Sequence, residues 1–460
     1  MNNHAKKAAA FLRDEERARW HDQSLWFVRE KRDNASKSVP DWESLRETAH
    51  KIKRHTLANL PRYLEEFEKN AYARGINVQY AHDANEHNRI VLKILKERNV
   101  SRVVKSKSML TEECGLNHVI QKSGIEIIDT DLGERIVQLL GEPPSHIVLP
   151  AIHRKKEEIG KLFHKCLRTE KDATDPTYLT NAARADMREK FLASEAGISG
   201  VNFAIAETGG ITIVTNEGNA DLGNTLPPLY IACMGIDKLL PNTRDLSVFI
   251  RLLARSATGQ PISAYTSHLL GPRPGQEMHV IMVDNGRSDI LKKEKFHKSL
   301  YCIRCGACMN TCPVYRRSGG YSYNYVIPGP IGSVLAPHRG INKYKSLPFA
   351  CTLCGSCADI CPVKIDLREQ ILEWRAEVVA SGNLGFIKKS SMMMATIVLG
   401  NALLFALGGK FVRTIFRVLP KSMCNIITIW GKTRDFPHIP AKSFREIYNK
   451  RIINGTNNGK

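Results

Sequence analysis

The apolar residues change their period several times along the chain. Residues 1–60 are polar and charged, and they read as a helical N-terminal extension. Asn59 and Pro61 form the cap and first turn of a helix carrying Leu64, Phe67 and Ala71 on one face. A second helix is predicted after Asp83, with Ile90, Ile94 and Leu95 in helical register. Short apolar runs typical of buried strands follow: RVV at 102–104, IEII at 125–128 and HIVL at 146–149. Helical stretches near 111–122 and 133–140 separate them. Strand, helix and strand in short succession predict an α/β sheet that is at least partly parallel.

VNFAIA (201–206) and ITIVT (211–215) flank Glu207-Thr208-Gly209-Gly210, which predicts a hairpin or a tight turn at a strand end. LYIAC near 229, a helix over about 243–257 and HVIMVD at 279–284 complete a set that predicts a mixed sheet rather than a doubly wound one. No GxGxxG follows a strand and no GxxxxGK[ST] occurs, so neither a dinucleotide nor a P-loop site is supported. A helix is predicted over about 286–300, ahead of a cysteine-rich segment. The expected organisation is an N-terminal extension (1–60), an α/β domain (61–285), a cysteine-rich domain (286–380) and a tail (381–460).

Composition sharpens this outline. With 460 residues the chain is long enough for about three folding units, and 43% hydrophobic with 25% charged residues excludes wholesale disorder. Lys plus Arg exceed Asp plus Glu by 67 to 46, a net charge of +21 that calls for an anionic partner. The N-terminus shows no apolar h-region and so no visible secretory signal peptide; without export, disulfides are not expected and clustered cysteines read as metal ligands.

Of the twelve cysteines, eight fall between residues 302 and 361. They form two runs, CIRCGACMNTCP (Cys302, Cys305, Cys308, Cys312) and CTLCGSCADICP (Cys351, Cys354, Cys357, Cys361), each followed by Pro. Both match C-x2-C-x2-C-x3-C-P, the run that holds [4Fe-4S] clusters in bacterial-type ferredoxins. The closely spaced three thiolates suit one cubane, while the fourth is carried away on the following helix to the other. The expected ligands are therefore crossed: Cys302, Cys305, Cys308 and Cys361 for cluster 1, and Cys312, Cys351, Cys354 and Cys357 for cluster 2. Gly306 and Gly355 give backbone room, and each Pro redirects the chain. Zinc prefers paired C-x2-C units with a longer gap. The long gap between Cys312 and Cys351 favours a helical two-cluster module over a small hairpin ferredoxin. Two neighbouring cubanes are one-electron carriers, which argues for an electron-transfer subunit.

The first cysteine run and its continuation to Pro337, with KSKSMLTEECGLN (105–117), TDLGERIVQLL (130–140), PSHIVLPAIH (144–153), GVNFAIAETGGI (200–211), NEGNADLGNTLP (216–227), LARSATGQ (253–260) and VDNGR (283–287), resembles the lactate utilization protein B family. The resemblance spans about residues 50–380. It implies a lactate-utilization (LUD) α/β domain of the NagB/RpiA/CoA-transferase-like kind, then a helical two-[4Fe-4S] ferredoxin-like domain; the tail beyond about 385, expected to be helical, matches less clearly and takes nothing functional from it. It also implies a cytoplasmic iron–sulfur subunit acting in oxidation of L-lactate to pyruvate beside two partner subunits and other electron donor or acceptor proteins. Two other readings stay open: a self-sufficient iron–sulfur oxidoreductase on another 2-hydroxy acid, and an iron–sulfur nucleic-acid-binding protein. No basic motif interleaved with aromatics supports the latter, and no nucleic acid is expected.

Further residues are weighed against ordinary structural roles. Glu207–Gly210, Asn216, Glu217, Asn219 and Thr225 either cradle an anion with backbone N–H groups or form a turn network. Arg251, Arg255 and Arg287 either clamp an anion or sit in ion pairs. Lys105, Lys107, Glu112 and Glu113 lie around a strand end, with Thr111 as a candidate helix cap. His338 reads as a surface loop residue, and Cys114, Cys166, Cys233 and Cys424 as buried small apolar residues. In the tail, MMMATIVLGNALLFAL (392–407) is uncharged but too short to span a bilayer. The segment between Glu377 and Asp435 holds no acid but carries Lys388, Lys389, Lys410, Arg413, Arg417, Lys421, Lys432 and Arg434. A basic, apolar segment suits peripheral association with an anionic membrane, docking on a partner, or a helix packed on its own domain with a solvated basic rim.

Overall fold

The computed structural model describes residues 3–382, 386–420, 423 and 437–457; side chains at 388 and 452–457 are not described. Two compact units result, Met1–Ser381 and Gly382–Lys460. Ten strands lie in the first: β1 (Ile76–Ala81), β2 (Arg102–Lys105), β3 (Glu126–Asp129), β4 (Ala196–Gly200), β5 (Phe203–Ile205), β6 (Gly210–Thr215), β7 (Leu229–Gly235), β8 (Leu239–Leu240), β9 (Tyr265–Leu269) and β10 (Glu277–Val283).

Six strands form a wholly parallel sheet in the order β1-β10-β7-β4-β2-β3. Its central strands are near-continuous apolar runs because both faces are covered; every residue of β7 is buried. The remaining four form a smaller sheet, β8-β5-β6-β9, in which β5 pairs parallel with β8 and β6 pairs antiparallel with β5 and β9. The mixed pairing expected of one sheet is thus divided between two.

Local sequence explains most boundaries. Asp83 accepts the Glu86 N–H at the start of the helix Ala84–Glu97, and Glu86 accepts the N–H of His82 in return. Asp131 caps Leu132–Leu140, which ends at left-handed Gly141. The cap of Met109–Cys114 is Ser108, whose hydroxyl accepts the N–H of Thr111; Thr111 itself lies inside the helix.

Two predicted elements are corrected. HIVL (146–149) is irregular, not a strand: the His146 ring accepts the N–H groups of Val148 and Leu149, turning the backbone between Pro144 and Pro150. The helix expected over 286–300 is broken into Arg287–Leu291 and a 3-10 turn, His297–Tyr301.

The N-terminal helices α1 (His4–Leu12), α2 (Glu15–Lys37) and α3 (Trp42–Ala58) pack on both the α/β sheet and the cysteine-rich segment. Short helices, including Ala307–Thr311, Pro313–Ser318 and Gly329–Leu335, and a longer one, Leu367–Ala380, make up the cysteine-rich part.

In the second unit, helices Phe386–Gly400 and Ala402–Val418 meet at a bend, where Asn401 accepts the N–H groups of Leu403 and Leu404. The segments Lys389–Gly400 and Ala402–Val418 are inclined by 108°. Among the described residues no single helix is long and apolar enough to cross a membrane, although this bent pair passes by length and composition. Phe386, Ile387, Leu403, Phe411 and Val418 are exposed. Lys421, Cys424, Lys432 and Arg434 lie outside the described residues, as does the side chain of Lys388.

Candidate metal centre and adjoining cavity

The two cysteine runs fold the same way. Arg304 and Leu353, each two residues after the first cysteine, are left-handed at φ 60° and 57°. Their N–H groups lie 3.4 and 3.2 Å from the sulfurs of Cys302 and Cys351. Gly306 and Gly355 follow at φ 77° and 84°, where a side chain would be strained. Positive φ in Arg and Leu is uncommon and costs on the order of 1 kcal/mol, so the loop shape is imposed twice. It turns backbone N–H groups toward sulfur, an arrangement that stabilises thiolates.

The tertiary fold groups the thiols across the two runs. Cys302, Cys305, Cys308 and Cys361 act electrostatically on one another. Cys312 is joined with Cys351, Cys354 and Cys357. Cys308 also senses Cys357, so the two groups adjoin. Burial pushes the Cys305 thiol up to about 12, and those of Cys312 and Cys361 up to about 11. Burial also raises Cys308, Cys351 and Cys357. Thiols held neutral in this way release protons when iron binds, because the thiolate is the ligand. Among the described residues no group of three or more His, Cys, Asp or Glu side chains is arranged to hold a single metal ion. Eight thiols in two wider groups, met by backbone N–H donors, fit two cubanes.

Cations hold the loops by their carbonyls. On α3, Arg46 donates to Cys361 O at 3.0 Å and Asp359 O at 2.7 Å. On α2, Arg32 donates to Ile360 O at 3.0 Å, and Arg375 donates to Cys351 O at 2.5 Å. Lys238 reaches Cys302 O at 3.4 Å. None of these residues was singled out by sequence, since a basic residue on a polar helix reads as solvated. His146 packs its ring against Gly306 and shares a 3.0 Å hydrogen bond with Asn310; burial pushes it down to about 3.

A cavity of about 560 Å³ opens at the carboxyl ends of the parallel strands. The chain runs from β2 out to β3 and then returns to β4 on the other side of β2, the kind of reversal that leaves a crevice there. Its walls include Ser106–Leu110 after β2, Asp131–Gly133 after β3, Gly200–Asn202 after β4 and the end of β7. Ile303 and Arg304 of the first cysteine loop complete the wall. Lys107 bonds to Asp131 at 2.6 Å and Val148 O at 3.1 Å. Burial, and then Asp131, pushes the Glu217 carboxyl up to about 7. Arg287 is buried between Asp237 at 2.6 Å and Glu113 at 3.1 Å. Gly235 permits this pair, because a Cβ there would come within 2.5 Å of Arg287.

The predicted residues therefore divide. Lys107, Glu113, Asn216, Glu217, Asn219 and Arg287 line the cavity. Glu207, Thr208, Gly209 and Gly210 form the hairpin turn, where Thr208 and Glu207 accept the N–H groups of Gly210 and Thr243. Thr225 donates to Asp221 O. Arg251 pairs with Asp41, and Arg255 donates to Arg251 O and Pro261 O, so the three arginines form no clamp. Lys105 is wholly buried among Asp129 (2.7 Å), Glu112 (3.2 Å) and Glu134 (3.7 Å). His338 is not a loop residue at the surface: its ring packs edge-on to Phe296 and Trp374, and burial pushes it down to about 3. Cys114 and Cys233 are buried, but Cys166 is exposed.

Known proteins match both parts. Residues 64–290 match the LUD domain family, and residues 298–365 match the 4Fe-4S dicluster domain family. The second match identifies two [4Fe-4S] clusters as the cofactors. The chain is 41% identical to lactate utilization protein B of Macrococcus caseolyticus over 93% of each chain. It is 40% identical to lactate utilization protein B of Bacillus cytotoxicus, over 92% of this chain and 91% of that one. It is also 41% identical to the Escherichia coli protein described as the uncharacterized electron transport protein YkgF, over 91% of this chain and 90% of that one.

Proposed function

The chain belongs to the lactate utilization protein B family, and we propose that it is the iron–sulfur subunit carrying electrons as L-lactate is oxidised to pyruvate. Its iron–sulfur role in lactate utilization follows from the family and the dicluster domain. The finer assignment is supported by one observation: the eight thiols fall into two adjoining groups, one beside the α/β cavity and the other reaching the surface at Cys354.

Cys302, Cys305, Cys308 and Cys361 hold the first cluster in this reading, and Cys312, Cys351, Cys354 and Cys357 hold the second. When bound, each cluster supplies a one-electron carrier. Oxidation of L-lactate to pyruvate releases two electrons and two protons, and two such carriers in one chain match the electrons. Arg32, Arg46, Lys238 and Arg375 fix the loops that present the thiols, and the N–H groups of Arg304 and Leu353 face sulfur. The two-electron step at lactate belongs to partner subunits, with this chain acting in the cytoplasm.

The test is EPR of the anaerobically purified protein, alone and with its partner subunits. L-lactate is expected to reduce two interacting [4Fe-4S] centres only when the partners are present. Reduction of the isolated chain would make it a self-sufficient oxidoreductase; no reduction with partners would remove the lactate assignment. The exposed apolar residues of Phe386–Gly400 and Ala402–Val418, with Lys389, Lys410 and Arg413, favour peripheral contact with an anionic bilayer. Flotation with anionic liposomes tests this contact, and a protein that stays at the bottom of the gradient argues against it.

A further inference from the structure

We propose that the cavity at the carboxyl ends of the parallel strands binds a redox-active organic anion of nucleotide size, its anionic group held by Arg304. The inference rests on the reading of the clusters as electron carriers, and it adds a second ligand beside the first of them. Size is the first argument. About 560 Å³ falls in the range of pockets that enclose whole organic cofactors, and a three-carbon acid would fill little of it.

Arg304 is the second argument. Arg304 lines the cavity, and its buried Nη1 makes no hydrogen bond, although Cys302, Asp237 and Glu113 lie within electrostatic reach of the guanidinium. A buried guanidinium N–H left unpaired is costly, and an oxyanion is its natural partner. The other cations of the wall are committed: Lys107 to Asp131, Arg154 to Glu142 and Glu158, Lys238 to Cys302 O and Asp237, and Arg287 to Asp237 and Glu113. In the second cysteine run the equivalent position is Leu353, with the same left-handed backbone. The loop shape therefore does not require arginine, and the side chain at 304 answers to its surroundings, the cavity and the Asp237 and Glu113 carboxylates. The wall also carries Glu217, whose buried carboxyl, crowded by Asp131, suits exchange of a proton with a ligand. An anionic group, a large body, a proton partner and an adjoining one-electron centre together describe a flavin nucleotide better than a hydroxy acid.

The probe is flavin mononucleotide, added to the anaerobic protein with both clusters loaded and followed by quenching of flavin fluorescence. Inorganic phosphate and L-lactate are separate arms. Micromolar flavin binding is expected, and Arg304→Leu should weaken it by about 10-fold or more, the loss of a charge-assisted hydrogen bond. Because Arg304 also lies beside Cys302, iron content and both EPR signals are measured alongside, and a loss of flavin binding counts only in protein that keeps both clusters. Met109→Trp, which narrows the cavity far in sequence from the eight cysteines of the two runs, should weaken binding too, and it covers the case in which Arg304→Leu fails to fold. No flavin binding by the iron-loaded protein, equal affinity in the variants, or saturable binding of L-lactate or phosphate alone would overturn the proposal. Cluster reduction by lactate is measured separately, so flavin binding can fail while the electron-transfer reading stands, and the reverse.

Discussion

The first and second cysteine loops are near copies in sequence and backbone, but they face different surroundings. In the first, a Cβ on Gly306 would press on His146 and Val148 of the α/β domain at 3.1 Å; in the second, a Cβ on Gly355 would meet only the tip of Arg368, at 3.7 Å. Arg32, Arg46, Lys53, Lys238 and Arg304 act on the first thiol group. Arg375 acts on the second, where Cys354 is exposed. A duplicated motif thus supplies two similar centres, and the packing around them makes one internal and the other accessible. Electron carriers need that asymmetry, because one end must meet a donor and the other an acceptor.

The largest expected effect comes from breaking the crossed grouping. Cys312→Ser, although in the first run, should abolish the EPR signal of the centre built on the second run and lower iron from about eight toward about four atoms per chain. Loss of the first-run centre instead would dissolve the comparison. Next in size is oxygen sensitivity. The centre that includes Cys354 should decay in air several-fold faster than its neighbour, followed by EPR over time.

Arg46→Ala and Arg375→Ala test the charge difference. Each should lower the midpoint potential of its own centre by on the order of 50 mV and leave the other unmoved, because a nearby cation favours the reduced, more anionic cluster. Redox titration measures this directly. Arg46→Ala should also lower the melting temperature, because it leaves the carbonyls of Cys361 and Asp359 without their donor.

A control lies away from both loops. Burial pushes the Glu134 carboxyl up to about 8, from an ordinary value of 4.5. Between those pH values the folded chain keeps a proton that the unfolded chain has lost, so stability falls as pH rises through the window. Glu134→Gln should flatten that slope in thermal melts without altering either EPR signal. The smallest effect is expected from Leu353→Gly, which relieves left-handed strain for a gain or loss within about 1 kcal/mol.

Much of this was legible along the chain. The helix after Asp83, the hairpin around Thr208 and the strands β2, β3, β7 and β10 follow from caps, turn residues and apolar runs. HIVL (146–149) misled because four apolar or ring-bearing residues in a row carry no record of a histidine folding back on its own backbone. Within the site, the cysteine ligand types were explicit, and Arg304 stood visible as a charge where the other run has Leu353. Arg32 and Arg46 left no such mark, since they lie more than 300 residues from the carbonyls they hold.

The sequence by itself determined the metal chemistry, because thiol spacing in C-x2-C-x2-C-x3-C-P is a local property that survives without any fold. It also determined the alternation of strands and helices, through periodicities of a few residues. Tertiary structure alone decided which loop lies against the α/β cavity, which cysteine reaches solvent, and which distant cations surround each thiol group. Those are contacts between segments tens to hundreds of residues apart, and burial and field at a point depend on everything packed around it, not on the residues beside it in the chain.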